Sequence, residues 1–292
     1  MILIGLSTLI ILVSVTASGI GLATADQLTE KSLHRLTGIA SGLLLSSALL
    51  VVLPEGFHMV SRHDGLAYSP LTLGTAVASG FVFMLILEGM GLSHAIHEEH
   101  HDHQAGHGHG HVHHPKSGLV MTIGLSVHAV GDGLAIGAAT ASGETSISIL
   151  VAFGVLVHRV PAALSLGVFS SHEAVTRKSI WGGLLLFALA TPAGAVSAYF
   201  VLDNASGSLV GVVLLFSAGT FIYVTTVDTL PSIHNPETGP RSARVVVASA
   251  ALFAATLLIS NAAGFLTHEH GTHDQHDEHD EHDEHDEHDE HD

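Results

Sequence analysis

Apolar residues in this chain gather into runs of about 20, the length needed to cross a hydrocarbon core of about 30 Å. Eight such segments can be drawn, at about 2–22, 36–60, 70–92, 118–140, 146–171, 179–202, 208–231 and 243–266. The stretches between them are mostly short and polar, such as SGETS at 142–146 and DNASGS at 203–208, which suits antiparallel neighbouring helices. The pattern predicts an all-α, polytopic membrane protein with eight transmembrane helices, and an even number of crossings places both termini on one side. The first segment runs as long as a span and lacks a basic leader, so it reads as a retained helix rather than a cleaved signal peptide.

Positive charge near the ends of spans is biased towards the cytoplasm. Lys31 and Arg35 fall in the first connection, Lys116 in the third, Arg177 and Lys178 in the fifth, and Arg241 and Arg244 in the seventh. The even-numbered connections and the tail hold only Arg62. This asymmetry predicts extracellular termini and cytoplasmic odd-numbered connections in a multi-pass protein of the cell membrane. Arg159, inside the fifth segment, is the remaining base.

Composition strengthens the membrane reading. Apolar residues make up 47% of the chain and charged residues 12%. The formal net charge of −18 overstates the acidity of the membrane body, because 13 of the 27 acids lie in the tail from residue 268 onward. With no cysteine, neither disulfides nor thiolate metal sites are available, and metal chemistry must use imidazole and carboxylate. No nucleic-acid partner is expected. The lipid bilayer and divalent metal ions are, and oligomeric state is left open, a homodimer included.

Two stretches are of low complexity. The third connection holds ten histidines between residues 93 and 114, and from His276 the tail repeats HDE almost without interruption. Neither carries enough apolar surface to fold alone, so both are expected to be disordered. The expected layout is therefore helices 1–3 at 1–92, a cytoplasmic His-rich loop at 93–117, helices 4–8 at 118–267 and an extracellular tail at 268–292. A run of imidazoles is either a solvated linker or a weak multivalent metal binder. In the loop, His107, His109, His111 and His113 are candidates for a metal relay.

The chemistry of the membrane body concentrates in GLSVHAVGDGLAIGAA, residues 124–139. His128 and Asp132 are spaced i, i+4 and share a helical face, and ionisable residues at membrane depth generally face a polar pathway or an ion. The competing reading is an interhelical hydrogen-bonded pair that fixes packing. The next segment, VLVHRVPAALSLG at 155–167, offers His158 and Arg159 shortly before Pro161, which frees a backbone carbonyl and bends the helix. Two imidazoles and one carboxylate form a reasonable divalent-metal set with room for water. The same ligands could serve a membrane-embedded zinc hydrolase, with Ser126 and Glu88 as loose partners, or a metal exporter.

Five motifs together carry a family resemblance: LPEGFH at 53–58, SGFVFMLILEGMG at 79–91, HAVGDGLAIGAA at 128–139, VHRVPAALSLG at 157–167 and LLFSAGTFIYVTTVDTLP at 214–231. In this order, around a His-rich loop, they resemble the ZIP family of divalent-metal transporters, most of all its ZIP9-like branch. The resemblance implies an eight-helix fold with extracellular termini, and uptake of Zn²⁺, with Fe²⁺, Mn²⁺ and Cd²⁺ as further candidates, rather than enzymatic activity. It also implies His128, Asp132 and His158 as metal ligands, and transport by movement of one helix bundle against another. The family's common HEIPHE pattern matches only at His158 and Pro161. At Arg159, Ala162 and Ala163, and at Ala129 where many members have asparagine, the chain lacks groups that help form a second metal site. A guanidinium cannot bind a cation but can replace one electrostatically, so Arg159 is expected to stand in for the second metal.

Four other residues are candidate pathway groups. Glu55 and His58 share a face near the end of the second segment, where they either line the route or meet interfacial water. Glu88, late in the third segment, is placed to hand metal to the loop, and Asp228, near the end of the seventh, either lines a cytoplasmic exit or reaches water. There is no GxxxxGK[ST] stretch, so transport is expected to run down a gradient or to be coupled to another ion.

Overall fold

The computed structural model describes residues 1–27, 30–63, 69–89, 118–172, 176–234 and 239–262. Its elements, among the described residues, are α1 (Ile2–Ala23), α2 (Glu30–Ser47), α3 (Leu53–His63), α4 (Pro70–Gly89), α5 (Gly118–Ala141), α6 (Thr145–His172), α7 (Arg177–Leu202), α8 (Gly207–His234) and α9 (Gly239–Ala262). A π-helical turn, Ala48–Val52, joins α2 to α3, so these two elements form a single span. Among the described residues, eight helices are therefore long and apolar enough to cross a membrane. They correspond to the eight apolar runs, with ends shifted by a few residues.

Local chemistry explains the ends that are described. Between α5 and α6, Gly143 takes a positive φ of 81°, a conformation strained for residues with a Cβ. There Ser148 Oγ lies 3.0 Å from the Ala139 carbonyl that it bonds, tying the start of α6 to the end of α5. At the start of α7, the Thr176 side chain accepts from the Ser179 amide at 3.3 Å.

The helices sort into two groups. In one, α5 packs on α7, α1 on α6 and α1 on α7; in the other, α4 and α3 pack on α8, and α2 on α9. Small residues let backbones meet inside each group, because lipid supplies no hydrophobic drive between helices and close van der Waals packing must replace it. A Cβ on Gly133 would run into the Thr191 carbonyl, and one on Gly194 into the Val130 carbonyl, so α5 and α7 touch along their main chains. Gly21 and Gly167 do the same for α1 and α6, and Gly80 and Gly219 for α4 and α8. Between the groups, α2 meets α6 and α5 meets α8. The tight glycine contact across this border is with a side chain, Ser47 against Gly154.

Candidate metal site

Asp132 is carried by the middle of α5 and is 1% exposed. One helical turn earlier on the same face, His128 places Nε2 3.6 Å from Asp132 Oδ1. From α6, His158 brings Nε2 to 3.3 Å from Asp132 Oδ2. One ligand atom from each residue can be chosen so that all three lie within 4.8 Å of one another, and this is the one such potential metal-binding group among the described residues.

The tautomer of His158 follows from its other nitrogen. Nδ1 lies 3.2 Å from the Gly154 carbonyl oxygen, which can only accept, so Nδ1 carries the proton. In the neutral ring, Nε2 then presents a lone pair to Asp132. Neither Asp132 oxygen has an aligned hydrogen-bond donor among the described residues. Two lone-pair donors facing each other inside a protein require a proton or a cation between them. A tetrahedral zinc with nitrogen and oxygen ligands at 2.0–2.2 Å would hold those atoms about 3.4 Å apart, close to the separation of His158 and Asp132.

Arg159 approaches the same carboxylate oxygen that faces His158. It is 1% exposed, and Nη1 lies 3.9 Å from Asp132 Oδ2. Nε donates to Ser14 Oγ of α1 at 2.9 Å, while Nη2 donates to the Phe187 carbonyl of α7. The guanidinium carbon stacks 3.8 Å from the centroid of the Phe187 ring. Ser14 and Phe187 are site residues that sequence reasoning missed. For Ser14 the signal was faint, since Ser7, Thr8, Thr16 and Ser18 share its apolar run; for Phe187 there was none, since its backbone carbonyl is part of the contact.

The site sits at the border of the two helix groups. The Phe221 ring of α8 is 6.5 Å from that of His158, and Ser47 of α2 abuts Gly154, whose carbonyl holds His158. The positions where the sequence departs from the family pattern carry no ligand: Ala129 and Ala163 are fully buried, and the Ala129 carbonyl accepts from Thr191 Oγ1 at 2.9 Å.

Of the other candidates, those whose side chains are described do not join this cluster. Glu55 and His58 share a face of α3, with His58 Nδ1 3.9 Å from Glu55 Oε2. Glu88 is buried in the contact between α4 and α8 and accepts from the Tyr223 hydroxyl, while the Tyr223 ring meets Phe81 edge-on at 5.0 Å. Asp228 belongs to α8, but its side chain lies outside the described residues, as do His107, His109, His111 and His113 and the whole tail.

Comparison with known proteins decides the family. A profile described as "ZIP Zinc transporter" matches residues 1–263. The chain belongs to the ZIP family. Zinc transporter ZIP9 of Xenopus tropicalis is 33% identical to this ZIP protein over 277 residues, covering 81% of the chain and 88% of the relative. Zinc transporter ZIP9 of Micropogonias undulatus is 33% identical over 250 residues, covering 72% and 78% respectively. Zinc transporter ZIP1 of Danio rerio is 28% identical over 250 residues, covering 73% and 80%. Membership makes the chain a transporter and not an enzyme, and the hydrolase alternative falls away.

Proposed function

We propose that this ZIP protein takes up Zn²⁺ into the cytoplasm across the cell membrane, through a single site formed by His128, Asp132 and His158. The carrying observation is the pair of lone-pair donors, His158 Nε2 and Asp132 Oδ2, facing each other at 3.3 Å in a buried setting. His128 supplies a third ligand, and water completes the shell, leaving the site able to release its ion. Fe²⁺, Mn²⁺ and Cd²⁺ are lesser cargo on this reading, and zinc itself is supported by the family and by the relatives' names.

Orientation rests on the asymmetry of Lys and Arg, which puts both termini outside. Ions then enter past Glu55 and His58, leave towards Glu88 and Asp228, and are met by the loop histidines His107, His109, His111 and His113 on the cytoplasmic side. Arg159 occupies the place of a second cation, so a single metal is carried. Switching of access is a rigid-body movement of α1, α5, α6 and α7 against the remaining helices. Main-chain contacts through glycine within each group, and a side-chain contact across the border, support that division.

Zinc uptake by vesicles containing the His128→Ala variant, set beside a chain lacking residues 94–114, tests the proposal. The first is expected to abolish uptake and the second only to change its rate. Uptake that survives His128→Ala but vanishes with the loop would overturn the intramembrane site.

A further inference from the structure

We propose that Arg159 sets the metal preference of the site, admitting cations that bond well to nitrogen and turning away hard, oxygen-seeking ones. The inference rests on the reading that His128, Asp132 and His158 carry the metal. Asp132 is the single carboxylate of the ligand cluster, and the Arg159 guanidinium stands 3.9 Å from the same oxygen that faces His158. That guanidinium does not lose its charge in a protein. Nor is it free to swing away: Ser14 holds Nε, the Phe187 carbonyl holds Nη2, and the Phe187 ring covers its face. These anchors come from α1 and α7, which pack with α5 and α6, so the counter-charge belongs to the same helix group as the ligands.

With both imidazoles neutral, the cluster and Arg159 together bear no net charge before an ion arrives. Manganese, magnesium and calcium draw most of their binding from anionic and carbonyl oxygen. A fixed cation 3.9 Å from Asp132 Oδ2 competes for that oxygen and disfavours two-oxygen binding by the lone carboxylate, which costs ions that need six or more oxygen ligands more than one satisfied with four. Zinc and cobalt also gain from two imidazole nitrogens, a contribution that the guanidinium leaves largely intact. The net effect is a handicap borne mainly by the hard ions. A purely packing role for Arg159 would reduce uptake of all metals together and leave their ratio unchanged.

The test is initial uptake of Zn²⁺ and Mn²⁺, measured separately, in lipid vesicles containing the full-length chain. Unmodified protein should strongly favour Zn²⁺. Arg159→Gln should raise the Mn²⁺-to-Zn²⁺ ratio on the order of tenfold, whereas Arg159→Lys, which keeps the charge, should stay within about threefold of the parent. An unchanged ratio in Arg159→Gln overturns the proposal. Equal uptake of the two metals by the unmodified protein overturns it too, and that outcome needs no variant to fold. His158→Ala separates the site from its selectivity: full zinc uptake in that variant removes the site itself, while its loss combined with an unchanged Arg159→Gln ratio removes only the selectivity role.

Discussion

His158 and Asp132 meet across two helices, Nε2 to Oδ2 at 3.3 Å, with the histidine's own N–H turned away to the Gly154 carbonyl. The backbone of α6 thus fixes which nitrogen faces the carboxylate. A bound ion or a shared proton resolves the contact, and the two compete for the same lone pairs.

That competition gives a pH dependence. An imidazole must be neutral to bind metal, and the unperturbed group titrates at about 6.5. Protonated His128 or His158 would pair with Asp132 instead, so acidification removes ligands and occupies the carboxylate at once. Zinc uptake should be full above neutrality and fall steeply as the external pH drops towards 5. A flat profile from pH 7.5 to 5 would exclude imidazole ligation.

The main-chain contacts between α5 and α7 make a stability prediction. Gly133→Leu would force its side chain into Thr191, Gly194 and Ala195, and such overpacking costs about 1–3 kcal/mol or more. A Cβ added at Gly182, exposed on α7, would meet nothing within 4 Å, and Gly182→Ala should be neutral or slightly stabilising. Thermal unfolding in detergent, followed by loss of monodisperse protein, separates the two. Equal stability of both variants would mean that α5 and α7 are not in backbone contact.

Much of this architecture was legible in the chain because membrane spans are written in block hydrophobicity, and an i, i+4 histidine and aspartate share a face in any helix. The π-helical turn at Ala48–Val52 was not, since ALLVV reads as ordinary apolar span. Arg159 stood out as a base within an apolar run, but its anchors are set by tertiary packing: Ser14 lies 145 residues away, and the Phe187 contact uses a backbone oxygen that no side-chain pattern reveals. Glu88 was legible as an acid near a helix end, yet its burial against Tyr223 depends on how α4 crosses α8.

The Glu88 and Tyr223 contact yields its own prediction. Tyr223→Phe removes a donor from a buried carboxylate, and losing a hydrogen bond to a carboxylate costs about 1.5–3 kcal/mol. The variant should melt earlier than the parent. Adding Glu88→Gln to it should cost less than Glu88→Gln costs alone, a coupling read by a double-mutant cycle. Strict additivity would show that the two side chains do not interact.

The most direct test of metal carriage by this cluster is zinc flux through Asp132→Asn, a change that keeps side-chain size and removes the charge at the centre of the site. In vesicles carrying a zinc-sensitive dye, the folded, monodisperse variant should bring in no more zinc than protein-free vesicles. Flux equal to that of the unmodified protein would contradict the claim that His128, Asp132 and His158 carry the metal.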